Sequence, residues 1–180
     1  MKKSNYGFTL VELLVVIAII AILAAVVVLV VNPAEMLRRG RDATRMADLQ
    51  SLQNAINIAY QENSATARFL CAADGQPANT RCPGSSAAGA STRTNNGTGW
   101  VKVDLSSQAV KVPTLPIDPE NSATLIYTYE SDGVDWEINA VLESDKYTID
   151  DNKMANDGGN DANWYEVGSG LTLMDKDAAL

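Results

Sequence analysis

The stretch Phe8-Thr-Leu-Val-Glu12-Leu-Leu-Val-Val-Ile-Ala-Ile-Ile-Ala-Ile-Leu-Ala-Ala-Val-Val-Val-Leu-Val-Val31 decides how this chain is built. No residue from Leu13 to Val31 is polar. As a helix rising about 1.5 Å per residue, Phe8 to Val31 would span roughly 36 Å, enough to cross a hydrocarbon core of about 30 Å. A secretory signal has an apolar core of about 7–15 residues followed by a small-residue cut site. This run is longer, and cleavage at Ala24-Ala25 would leave the apolar Val26–Val31 at the new terminus. An uncleaved single-pass anchor accounts for the length but not for Glu12, because a carboxylate at the edge of a lipid-buried segment needs hydration or a partner.

To the N-terminal side stand Lys2-Lys3 and then Gly7. Together, Lys2-Lys3 and Gly7-Phe8-Thr9-Leu10-Val11-Glu12-Leu13-Leu14 resemble the N-terminal motif of type IV prepilins and type II secretion pseudopilins. The resemblance implies that a membrane peptidase cuts after Gly7 and methylates the new terminus at Phe8, and that Glu12 is the acid required for assembly. A buried amine at Phe8 and the Glu12 carboxylate of a neighbouring subunit could compensate one another, whereas either alone would be costly. Removing residues 1–7 takes away two lysines and no acid, moving the formal net charge from −8 to −10.

The basic residues flank the span on both sides, Lys2 and Lys3 before it and Arg38, Arg39, Arg41 and Arg45 after it, so the positive-inside rule does not choose an orientation. The resemblance implies storage in the bacterial inner membrane, N-terminus inside and C-terminal head outside, before passage into an extracytoplasmic filament. The partners it implies are identical or related subunits, the prepilin peptidase, an inner-membrane assembly platform and membrane lipid.

Beyond the span, Asn32-Pro33-Ala34-Glu35 places a hinge near Pro33, in one of two ways. Pro33 could kink a continuous helix, or Asn32 could cap a second helix with Pro33 in its first turn and Glu35 closing a capping box; the resemblance favours the bend. Met46, Leu49, Leu52, Ile56 and Ala59 or Tyr60 then recur at three- and four-residue steps, the stripe of an amphipathic helix that packs on a sheet. The arginine cluster is open to three readings: a solvated face, a subunit contact, or a lipid or nucleic-acid contact.

Residues 63–99 turn to Ala, Ser, Thr, Asn and Gly and read as a variable surface loop. Within it Cys71 and Cys82 would form a disulfide outside the cytoplasm, free thiols being the alternative. From residue 100 onward the chain is strand-like: Val101–Leu105, Leu125–Tyr129 and Val134–Val141 alternate, and Ser131-Asp132-Gly133 turns the last two into a hairpin. Trp136, Tyr127 and Tyr129 read as core, and Leu115-Pro-Ile-Asp-Pro119 as a rigid connection. In Asn156-Asp157-Gly-Gly-Asn-Asp161, the carboxylates of Asp157 and Asp161 could ligate calcium or simply line a hydrated turn.

The chain has no histidine among its 180 residues, which removes the common triads and the HExxH zinc site. Its 22 acids against 14 basic residues argue against general nucleic-acid affinity. The expectation is a non-enzymatic α+β protein needing no cofactor beyond possible Ca²⁺, in three parts: a leader (1–7), a long helix (8–62) and a head (63–180). The apolar half of the helix protrudes, and its amphipathic half lies on a small antiparallel sheet. Its expected role is that of a structural subunit of a type IV pilus or type II secretion pseudopilus. A single-pass anchored adhesive or ligand-binding protein that never polymerises is the alternative.

Overall fold

The computed structural model describes residues 7–63, 69–71, 81–87, 93–106 and 112–174. The arrangement is α+β: a long apolar helix, a second helix and a four-stranded antiparallel sheet. By packing the chain divides into two units, Met1–Leu37 and Arg38–Leu180.

In the first unit, helix α1 (Leu10–Val31) runs for 22 residues with Thr9 as its N-cap. It stops at Asn32, whose φ of 42° is left-handed, a conformation Asn tolerates better than most residues. Helix α2 (Pro33–Glu62) starts at once. Pro33 has no amide hydrogen and a φ suited to a first helical position, and the Asn32 carbonyl accepts from the Glu35 and Met36 amides at 3.1 and 3.3 Å. The Asn32 side chain also accepts from the Glu35 amide, at 3.4 Å. The backbone therefore restarts at Asn32 rather than bending through it.

In the second unit the α2 stripe is realised by Leu49, Leu52, Ala55, Ile56 and Ala59, all buried, with Met46 half-buried and Tyr60 exposed. Leu49, Leu52, Ala55, Ile56 and Ala59 pack with Tyr127, Tyr129, Trp136, Ile138, Ala140 and Val167 in one cluster. Each fully buried large aliphatic contributes about 1.5–3 kcal/mol. Strand β1 (Gly84–Ser85) pairs with β2 (Tyr127–Ser131), β2 with β3 (Trp136–Ala140), and β3 with β4 (Tyr165–Gly168), in the spatial order β1-β2-β3-β4. Ser131 faces Trp136 across the hairpin turn, where Gly133 supplies a positive φ of 92°. At Gly84 a Cβ would lie 1.8 Å from the Trp100 carbonyl oxygen, so only glycine lets β1 lie this close to the Trp100 backbone.

The outer face of the sheet is polar yet buried. Thr128, Glu137, Asn139 and Glu166 are all covered, in part by the segment through Leu173 and Met174. The Leu173 and Met174 amides donate to Glu137 Oε2 at 2.8 and 3.1 Å, and the Met174 sulfur accepts from Thr128 and Asn139 at 3.3 Å each.

Two expectations need correction. Val101–Leu105 alternates and buries Val101, Val103 and Leu105, but among the described residues it forms no ladder. One isolated bridge joins Asn96 and Asp104, so the alternation here reports packing without a strand partner. Residues 63–99 are not simply a surface loop: Phe69, Leu70, Cys71 and Cys82 are core residues, and β1 belongs to the sheet. Leader residues 1–6, the interior of the cysteine loop at 72–80, and residues 88–92 of the Ser/Thr-rich stretch lie outside the described residues.

Candidate processing and assembly site

Gly7, Phe8, Thr9 and Glu12 stand together at the start of α1, all exposed. Thr9 has an extended backbone, and its hydroxyl accepts from the Glu12 amide at 3.3 Å. In return one oxygen of the Glu12 carboxylate accepts from the Thr9 amide at 2.8 Å and from its hydroxyl at 2.6 Å. This is a reciprocal capping box, in which two otherwise unpaired amides at the helix start are satisfied by side chains. The acid is thereby fixed within one turn of the Gly7–Phe8 peptide bond. The Thr-x-x-Glu spacing carried that signal in the sequence and went unread there.

Leu10–Val28, with mean hydropathy 3.2, is long and apolar enough to cross a membrane by length and composition. A Cβ added at Gly7 would meet nothing within 4 Å, so packing among the described residues does not ask for glycine at that position.

The other singled-out residues are dispersed. Pro33 opens α2, as described. Cys71 and Cys82 form a buried disulfide with a Cα–Cα distance of 5.9 Å. Both carboxylate oxygens of Asp157 are occupied, Oδ1 by the Gly159 amide at 2.9 Å and Oδ2 by the Glu166 amide at 2.8 Å. Asp161 Oδ1 accepts from the Asn163 amide and side chain at 2.9 and 2.8 Å. Among the described residues no group of three Asp, Glu, Cys or His side chains is gathered to hold a metal ion.

Sequence reasoning missed a charged cluster that joins α2 to the rest of the head. Arg45 is fully buried. It donates from Nε and Nη2 to Asp118 Oδ2 and Oδ1 at 2.5 and 2.9 Å, and from Nη1 to Asp42 at 2.7 Å and to Glu143. Arg41 forms a second fork with Glu143 at 2.9 and 2.7 Å. Asp42 also accepts from the amides of Glu143 and Ser144.

Burial opposes the charge of Arg45, but its bonds to three carboxylates outweigh that and hold its pKa above the ordinary value. The Arg41 fork, helped by Arg45, pulls Glu143 down to about 2 against the effect of its burial. Arg41 and Arg45 thus serve the head's own architecture. The clue in the sequence was register: Arg45 leads Leu49, Leu52 and Ile56 at the same four- and three-residue steps.

Residues 2–28 match the family model of the prokaryotic N-terminal methylation motif, the prepilin-type cleavage and methylation signal, which marks a pilin-like, structural kind of precursor. No curated protein and no solved structure matches the chain. Signal and apolar helix together are consistent with membrane anchoring.

Proposed function

We propose, on the premise of that cleavage and methylation signal, that this chain is a structural subunit of a type IV pilus or type II secretion pseudopilus. A prepilin peptidase cuts between Gly7 and Phe8 and methylates the Phe8 amine. The subunit waits in the inner membrane with its N-terminus inside, and an assembly platform then moves it into a filament of identical or related subunits.

The observation that carries this reading is Glu12, a carboxylate in the first turn of a helix that is otherwise apolar through Val28 and whose side chain is held by Thr9 alone among the described residues. A lone carboxylate at the membrane edge is costly. The amine freed at Phe8 supplies the counter-charge when helices pack together. The same apolar surface then serves in lipid and inside a helical bundle.

Mass spectrometry of the N-terminal peptide from native membranes, paired with sheared-filament preparations of wild type and Glu12→Ala, tests it. The expected result is a chain beginning at N-methylated Phe8, with cleavage retained but filaments lost in the variant. An intact leader in cells with an active peptidase, or normal filaments from Glu12→Ala, overturns it in favour of a non-polymerising anchored protein.

A further inference from the structure

A cleft of about 400 Å³ opens on the head between the polar face of α2 and the outer edge of β4, within the size range of small-molecule sites. Its walls include Gln50 and Gln53 of α2, Asn156, Asp157 and Tyr165. Gln50 Nε2 donates to Gln53 Oε1 at 2.7 Å, which fixes both amides and leaves the Gln50 oxygen to accept and the Gln53 nitrogen to donate. Asn156 spends its amide nitrogen on the Asn152 carbonyl at 2.8 Å, so its oxygen stays available. The Tyr165 hydroxyl has no hydrogen-bond partner among the described residues, although the ring is half-buried.

Three alternatives fit poorly. An anion would face Asp157 and a chain of net charge −8. A cation would face Lys153, which lines the same cleft and makes no salt bridge among the described residues. A peptide strand adding to β4 would need the Glu166 amide, which already donates to Asp157 at 2.8 Å; a capped edge of this kind resists strand pairing. What remains free is a mixture of donors and acceptors on fixed amides and one phenol, with the Lys153 ammonium as a further donor, which matches groups that both donate and accept, such as sugar hydroxyls.

We propose that this cleft is a binding site for a neutral saccharide, its hydroxyls held by Gln50, Gln53, Asn156 and Tyr165. The site lies wholly on the head and does not depend on how α1 is processed or assembled.

The test uses the full chain in a non-glycosidic detergent, titrated separately with D-glucose, D-galactose and N-acetyl-D-glucosamine and followed by saturation-transfer NMR. At least one sugar should bind saturably in the millimolar range. Tyr165→Phe should weaken it about fivefold, the worth of one hydrogen bond, with an unchanged melting temperature. The Gln50→Ala/Gln53→Ala double variant, on a solvent-facing helix surface, should abolish it. Absence of saturable binding by all three sugars overturns the proposal, as does binding that survives the double variant. Equal binding of sodium acetate or of a short extended peptide would show an anion or peptide site instead and overturns it too.

Discussion

Arg45 and Asp118 meet in a two-bond fork, Nε to Oδ2 at 2.5 Å and Nη2 to Oδ1 at 2.9 Å, with neither side chain exposed. The fork ties α2 to the Leu115–Pro119 connection, 73 residues further along the chain. Removing Asp118 leaves two buried N–H donors of Arg45 without an acceptor while Asp42 and Glu143 still offset its charge, at a cost of about 1–3 kcal/mol. Asp118→Ala should therefore lower the melting temperature of the full chain in micelles sharply. Arg38→Ala, at an exposed site on the same helix, should change stability by less than about 0.5 kcal/mol. Equal shifts for the two variants would refute a structural role for the fork.

Glu143 sets the acid limit. Its pKa falls from 4.5 to about 2 in the folded chain, chiefly through Arg41. Its contribution is present above pH 4.5, where the unfolded chain is also ionised, and is lost as pH drops through the window from 4.5 to about 2. Discounted for the part-exposed Arg41, this is worth about 1–2 kcal/mol. Glu143→Gln should flatten that part of the stability curve while lowering stability at neutral pH, as read by urea unfolding at several pH values.

Glu166 acts in the opposite direction. Burial and the neighbouring Glu137 carboxyl push it up to about 8, and its buried Oε1 has no hydrogen-bond partner among the described residues. Glu137 accepts from the Asn139, Leu173 and Met174 amides. The folded state then binds a proton that the unfolded state gives up above pH 4.5, and stability declines as pH rises from there towards 8. Glu166→Gln should remove that decline and make the protein more stable than wild type at pH 8. An unchanged slope would show that Glu166 is ionised in the fold.

These charged pairs mark where sequence reading stopped. The apolar run, the α2 stripe, the β2–β3 hairpin and the buried aromatic residues all announce themselves through periodicity, because side-chain burial repeats with the backbone. Arg45 and Asp118 lie far apart in the chain, and nothing local to Asp118 distinguishes a rigid Pro-Asp-Pro connection from a carboxylate awaiting a buried arginine. Strands β1 and β4 span two and four residues, too few for alternation to register. The capping box at Thr9 and Glu12 was legible in its spacing, but the apolar run beside it dominated the reading.

The Cys71–Cys82 disulfide closes a short loop whose ends are core residues. Replacing both cysteines by serine should cost about 2–4 kcal/mol, with two polar hydroxyls then buried in place of sulfur. Calorimetry of the oxidised, reduced and doubly substituted chains should rank them in falling order of melting temperature.

At Gly7, open space around the missing side chain separates recognition from folding. Gly7→Val should leave circular dichroism of the full chain unchanged while retaining the leader, seen as a heavier band in membranes containing the peptidase. Normal processing of the variant would show that the cut does not require a small residue there.

The interruption at Asn32 has a mechanical meaning. An uninterrupted helix resists extension through its ladder of backbone bonds, but Pro33 brings no hydrogen to that ladder and Asn32 is already left-handed. Tension at the joint falls on the bonds that the Glu35 and Met36 amides make to the Asn32 carbonyl and on the covalent torsion angles. Under load this joint should lengthen before the helical turns on either side, an outcome that force spectroscopy of the full chain would check.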